Sequence, residues 1–410
     1  MEKIKLSILM LTHKSPFGAG QRSLAMAKEL VRRGHDVTIL LISKKNRTGF
    51  VERDIDGVHA VETPDMLWGR LRTGWDPWNI VNRISYLHKI KEEFNLIHCF
   101  ETRPATIYPS LNYSHRHHIP IITDWNDWWG RDGLIEVNRP SWYSRSLFSS
   151  IEVYYEEAFR PRTAGLTTIS IALKKRAIKL GVDPERICYI PGGAFTKTFS
   201  VLDKIDCRRR ANFPVNAPIL GFCSADSHLD LEIVMAALSI VRQQFPKIKL
   251  IITGKAKPVV SHMVEQYDLS ENVLLTGFLS EADYPVYLSC ADIFLLPMED
   301  RLYNHGRWPN KMSDYLCFGR PTVANPIGDI KTLFETHEIG LLAADNPQDF
   351  AEKILFLLSH PEEAERFGKN ARIVAETEYE WGILTIKLEE FYYKILDMER
   401  ESGGKSTISK

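Results

Sequence analysis

Three stretches of the chain hold residue types whose spacing suits chemistry. In Pro309-Asn310-Lys311-Met312-Ser313-Asp314-Tyr315, Lys311 and Asp314 are three apart and share one face of a helix. Asn310 is a good N-cap, Gly319 a stop and Pro321 the start of a strand, so 310–318 reads as a short helix. A nucleotide diphosphate sugar needs a cation for its phosphates and a carboxylate for its ribose hydroxyls. This turn offers both, with the helix N–H groups aimed the same way. A capped surface helix with one ion pair is the plain alternative.

The second stretch, Ile121-Ile122-Thr123-Asp124-Trp125-Asn126-Asp127-Trp128-Trp129, sets two carboxylates and three indoles at a strand end. Asp127 is suited to hydrogen-bond a sugar hydroxyl or an attacking acceptor. The indoles offer flat faces to sugar rings or lipid. Core tryptophans and a helix-capping Asp127 are the alternative. The third stretch, Gly18-Ala19-Gly20, precedes a helix whose free N–H groups attract an anion. Ser23 stands where G-x-G-x-x-G needs glycine, so a tight turn without ligand is equally open. Asp54-Ile55-Asp56 runs into Gly57 and reads as a turn rather than a metal motif. His115, His117 and His118 lack a ligand spacing, and no P-loop, G-x-S-x-G or HExxH occurs.

The elements that must carry these loops follow one pattern. Short apolar runs at 6–11, 37–42, 96–100, 119–123, 165–170 and 187–190 read as strands buried on both faces. Leu24, Ala27, Leu30 and Val31 recur at helical spacing before Gly34, which makes the first strand–loop–helix–strand unit. The chain from 64 to 160 is rich in aromatic and basic residues and helical where it is periodic. After a polar linker at 195–218 the series resumes, with strands at 219–222, 249–253, 273–276, 293–296, 322–324 and 340–343. The fold class is α/β, two doubly wound Rossmann-like domains. The expected boundaries are an N-terminal domain over 1–195, a C-terminal domain over 196–380, a helix over 381–400 packing back on the first domain, and a flexible tail over 401–410. Two such domains facing each other put their strand ends at one cleft.

Composition bounds the partners. The chain has 410 residues, enough for two or three domains of about 150 residues each. Lys+Arg and Asp+Glu both number 52, which removes the electrostatic footprint of a nucleic-acid binder. Six scattered cysteines form no CxxC pair and fit a reducing compartment. The apolar run near the start is short and no cleavage site follows it, so the expectation is a cytoplasmic protein, peripheral at most at the inner membrane face.

At these residues the chain resembles the GT-B glycosyltransferases of family 4, the retaining nucleotide-sugar enzymes. The likeness runs through Gly18-Ala19-Gly20, Tyr189-Ile190-Pro191-Gly192-Gly193, Gly277-Phe278-Leu279, Pro309-Asn310-Lys311 with Asp314-Tyr315, and Gly340-Leu341-Leu342. The resemblance implies a donor nucleotide diphosphate sugar on the second domain, an acceptor glycan or lipid-linked sugar on the first, retention, and neither metal nor cofactor. Gly18 and Gly20 would lie by the donor phosphates, Phe278 and Leu279 by the base, Asn310 and Lys311 by the diphosphate, and Asp314 by the ribose. Asp127, with Lys311, would be catalytic; Asp124 and Trp128 would line the acceptor side. Two departures stand out. Gly306 occupies the place of the motif's first glutamate, and Ser224 to His228 replace the Arg and Lys after the domain's first strand. Ser224 then borders the donor, and Arg307, Lys311 or Arg320 are the cations available to compensate.

The expected activity is hexosyl transfer from a nucleotide diphosphate sugar to an acceptor hydroxyl in glycan or glycolipid synthesis. The rivals are a non-catalytic sugar-nucleotide binding subunit, an epimerase or phosphorylase of similar fold, and a dinucleotide oxidoreductase. The aromatic and basic stretch at 68–142 points to a bulky or membrane-associated acceptor.

Overall fold

The computed structural model describes residues 4–15, 21–67, 71, 73–135, 142–223, 230–401 and 403. It divides the chain into one unit of 1–191 with 381–410 and a second of 192–380. Each unit is a parallel sheet flanked by helices.

The first sheet holds β1 (Ser7–Thr12), β2 (Asp36–Ile42), β3 (Val51–Ile55), β4 (Val58–Thr63), β5 (Leu96–Phe100), β6 (Ile121–Trp125), β7 (Gly165–Thr168) and β8 (Ile187–Tyr189), in the order β3-β4-β2-β1-β5-β6-β7-β8. Ile8, Leu9, Met10 and Leu11 are all buried, as both faces of a parallel strand require. All neighbours are parallel except β3 and β4, which form an antiparallel edge hairpin. Its turn is Asp56-Gly57, both with positive φ (53° and 84°), and Asp54 accepts the Gly57 N–H. The Asp54–Gly57 stretch is therefore a hairpin turn, with Asp56 paired to Lys28 at 2.8 Å.

The second sheet holds β9 (Ile219–Phe222), β10 (Lys249–Ile252), β11 (Val273–Leu275), β12 (Ile293–Leu296), β13 (Thr322–Ala324) and β14 (Gly340–Leu342), ordered β11-β10-β9-β12-β13-β14 and parallel throughout. Its core packs helix Leu231–Gln244 and helix Pro347–Ser359 on one face, through Leu238, Val241, Phe350 and Ile354. In each sheet the connections reverse direction beside the first strand, between β1 and β5 and between β9 and β12. Such switch points open a crevice at the strands' carboxyl ends, where ligands of open α/β sheets bind.

Helix Trp381–Glu401 belongs to the first unit, where Glu389 holds Arg33 and His35 on the stretch after helix Gln21–Arg32. No helix among the described residues is long and apolar enough to cross a membrane.

Candidate functional site

The helix Asn310–Phe318 is locked onto the carboxyl ends of β9 and β12 by Tyr315. The Tyr315 ring stacks on Phe294 with centroids 4.2 Å apart. Its hydroxyl donates to Leu295 O and accepts the Cys223 N–H. Pro309 occupies the N-cap, so Asn310 is the first helical residue and is exposed, where its type suggests the cap itself. Trp308 donates to Ser313 at 2.9 Å and stacks on Tyr379, which fixes the helix start. Gly192 permits this, because a Cβ there would lie 2.2 Å from the Trp308 ring. At the other end Gly319 takes the left-handed conformation (φ 59°) and closes the helix as expected.

This scaffold presents Lys311 and Asp314 on one face. The Lys311 ammonium lies 3.9 Å from the Phe222 ring centroid. It makes no hydrogen bond or ion pair to any described residue. Burial pulls its pKa down to about 8. Beside it, Arg307 approaches Asp230 at 3.9 Å, while the Arg307 Nε is buried and unpartnered among the described residues. Asp230 is itself buried and accepts the Glu299 N–H, and burial raises its pKa. Asp314 accepts a 2.7 Å hydrogen bond from the Tyr284 hydroxyl. Burial pushes Asp314 up to about 6, against the lowering effect of that bond.

The remaining donor-side candidates are placed as follows. Phe278 is 80% exposed and Leu279 half-buried, just past a backbone bridge between Gly254 and Gly277. Gly306 ends the helix Leu302–His305. Arg320 points elsewhere: it precedes β13, at the amino end of the sheet, and donates to Ala291 O and Ser289 O. It is committed to carbonyls closing another helix and does not join Lys311. Gly18, Gly20 and Ser224, with the rest of 224–228, lie outside the described residues.

In the first unit Asp124 is 0% exposed. Arg22 Nε and Nη2 reach its two oxygens at 3.2 and 3.0 Å, and Thr167 donates to Oδ1 at 2.5 Å. Because Thr167 gives its proton to Asp124, it accepts from His98 Nε2, which leaves His98 Nδ1 to accept from the Tyr392 hydroxyl at 2.6 Å. Burial lowers the His98 pKa to about 4, consistent with this neutral tautomer. Arg22 also donates to the carbonyls of Ile190 and Pro191.

Asp127 and Trp128 are half-buried on the loop after β6. Trp125 is core: its indole donates to Glu156 and to Asp127 O, and Arg160 lies 4.2 Å above it. Arg176 covers Trp128 at 4.2 Å and Arg103 covers Trp129 at 5.2 Å. Sequence reading singled out neither Tyr284, Asp230 nor Glu101. Asp230 stands before an apolar helix and carries a capping signal; Tyr284 carries none, since helix Tyr284–Ser289 brings it to Asp314 only in the folded chain. No cluster of three or more His, Cys, Asp or Glu able to hold a metal occurs among the described residues.

Two family models match this chain: "Glycosyltransferase Family 4" over residues 18–197 and "Glycosyl transferases group 1" over 204–374. It is 21% identical over 214 residues to the alpha-D-kanosaminyltransferase of Streptomyces kanamyceticus. That match takes in 52% of this chain and 54% of that protein, so the chain spans about half the length of that curated relative. Among solved structures it resembles sucrose-phosphate synthase of Thermosynechococcus elongatus (TM-score 0.76, 17% identity, 96% of this chain and 100% of the other). It also resembles Anabaena HepE in complex with UDP and glucose (TM-score 0.70, 15% identity, 95% and 99%). These structures share the fold of two parallel-sheet units.

Proposed function

The chain belongs to the GT-B glycosyltransferases of the family 4 type, and from that premise we propose that it transfers a hexosyl group from a nucleotide diphosphate sugar to an acceptor hydroxyl, with retention. The observation that carries this reading is the Lys311 ammonium. It is half-buried at the switch point of β9 and β12, beside an Arg307 whose buried Nε–H is unpartnered among the described residues, and Asp230 lies 3.9 Å from that Arg307. A cation held out of water without a hydrogen-bonding partner is unfavourable unless a ligand completes it. A diphosphate does so.

The chemistry then follows from charge. As the glycosidic bond breaks, negative charge grows on the leaving diphosphate. Lys311, Arg307 and the first N–H groups of helix Asn310–Phe318 stand preorganised to stabilise it. Asp314, held by Tyr284, accepts ribose hydroxyls, and Phe278 and Leu279 flank the base. On the first unit Asp127 orients the acceptor hydroxyl, and Trp128 offers it a flat face.

One observation favours a lipid-linked acceptor. Trp78 and Val81, three apart on helix Pro77–Leu87, are 51% and 56% exposed, near in sequence to exposed Met66 and Leu71. Liposome sedimentation checks this: binding lost in a Trp78→Glu, Val81→Glu variant supports it, and no binding by the parent protein removes it.

The reading itself is tested with a panel of nucleotide diphosphate sugars, first by thermal shift and then by labelled-donor turnover. One donor should raise the Tm through selective binding to the folded state, and Lys311→Ala should shrink the rise and cut turnover roughly 10²–10³-fold. No shift with any donor at millimolar concentration would overturn it. A shift without transfer or hydrolysis supports a binding subunit instead, and turnover without acceptor an epimerase.

A further inference from the structure

Glu101 directly follows β5, a central strand of the first sheet. It has φ 65°, a conformation that costs a residue with a Cβ. The other described non-glycine residues with positive φ are exposed in turns and helix ends, whereas Glu101 is only 6% exposed. Unfavourable backbone held by its surroundings clusters where geometry matters for function.

The Glu101 carboxylate is fully engaged. Oε1 accepts the Asn126 N–H at 2.9 Å, and Oε2 lies 3.3 Å from Arg160 Nη2. Arg160 is fully buried, stacks on Trp125 and donates to Thr102 Oγ1 at 2.8 Å. A second buried carboxylate, Glu156, accepts the N–H groups of Trp129 and Gly130 at 2.9 and 2.5 Å. Two carboxylates therefore grip the peptide on either side of Asp127 and Trp128.

We propose that Glu101 is a positioning residue for the acceptor step: by fixing the Asn126 peptide it aims the Asp127 side chain at the acceptor hydroxyl. This rests on the reading of Asp127 given above. The strain at Glu101 and its burial are what place an acceptor oxygen under that peptide; a water or a surface side chain would hold it less firmly.

The aim is also linked to protons. Burial pushes Glu101 up to about 7, with Arg160 and Arg103 opposing and Asp127 reinforcing. Behind Arg160 stand Glu156, Arg176 and Cys99, which complete the charged and titratable surroundings. As pH falls through 7, Glu101 takes a proton and its ion pair with Arg160 is lost. Transfer should decline in step.

The test compares Glu101→Gln, Glu101→Asp and Asp127→Asn in steady-state transfer by the full chain. Glu101→Gln keeps an oxygen for Asn126 but cannot titrate. It should lower kcat about tenfold, leave the donor KM unchanged and remove the acid limb near pH 7. Should the Gln variant not fold, Glu101→Asp is decisive: its carboxylate stays charged but falls short of Asn126, so kcat should drop with donor KM intact. Parental kcat and pH profile in whichever variant folds, with Asp127→Asn inactive, would overturn the inference alone. Full activity of Asp127→Asn would overturn it together with the Asp127 reading.

Discussion

The carboxyl ends of the two sheets solve opposite electrostatic problems. In the first unit the buried charges around β6 find their complements within the protein. Asp124 receives Arg22 and Thr167, and the line continues through neutral His98 to Tyr392 on helix Trp381–Glu401. Glu156 collects Trp125, Trp129 and Gly130. In the second unit Lys311 faces an aromatic ring, and Arg307 keeps a buried N–H unpartnered among the described residues. Around β6 the charges are satisfied within the protein; at Lys311 and Arg307 they are satisfied only in part among the described residues. Removing a charge should therefore damage folding in one place and ligand binding in the other.

The largest effect should come from Arg22→Ala. It leaves the Asp124 carboxylate buried with one hydroxyl for company and frees the Ile190 and Pro191 carbonyls. Breaking a buried pair from one side costs about 3–5 kcal/mol. Urea denaturation should show a lower midpoint with unchanged slope. A loss under about 1 kcal/mol would mean Asp124 is not held this way.

Lys311→Ala is the counterpart. Turnover should fall roughly 10²–10³-fold, the usual effect of removing one preorganised group facing developing charge. Stability should hold or rise, because the ammonium is half-buried without a hydrogen-bonding partner among the described residues. If the variant instead unfolds more readily while its turnover is preserved, the two surfaces do not differ as argued.

How far this contrast could be read from sequence depends on how each part is made. The strands at Leu96–Phe100, Ile219–Phe222, Ile293–Leu296 and Thr322–Ala324 coincide with apolar runs, because a parallel strand buried on both faces has to be one. The edge strand Val51–Ile55 has no fully buried residue, so no run marks it. Lys311 and Asp314 were legible as a pair because one helical turn sets their relation. Phe222 at the end of β9, Asp230 before helix Leu231–Gln244 and Tyr284 opening helix Tyr284–Ser289 reach the same spot from other elements, and spacing along the chain carries no trace of that. Glu101 was hidden for the same reason, since its partners Asn126 and Arg160 are 25 and 59 residues away.

A pH series sharpens the contrast without mutation. The folded pKa of Lys311, about 8, lies below its ordinary 10.5. Below pH 8 both folded and unfolded chains hold the proton, and the fold bears the cost of the buried charge. Between 8 and 10.5 the unfolded chain holds more protons, so this group makes stability rise with pH. Donor affinity should move the other way: at pH 9 about a tenth of the free protein keeps the ammonium, so the apparent Kd should rise up to about tenfold. Isothermal titration at pH 7 and 9 measures it. Unchanged affinity would place the diphosphate away from Lys311.

The smallest effect expected is that of Tyr284→Phe, and it is also the most specific. The Tyr284 hydroxyl donates to Asp314 at 2.7 Å and favours the ionised carboxylate. Losing one hydrogen bond to a charged group should weaken donor binding by about 1.5 kcal/mol or somewhat less, up to about tenfold in donor KM, with kcat kept. The pH dependence separates this from simple loosening. Asp314 titrates near 6, so ribose hydroxyl acceptance fades as pH falls through that value. Without the tyrosine proton the carboxyl pKa moves further up, and the acid limb of donor binding should shift to higher pH. A uniform loss of affinity at all pH values would instead mean that Tyr284 only fills space beside the ribose. Asp314 would then owe its aim to helix Asn310–Phe318 alone.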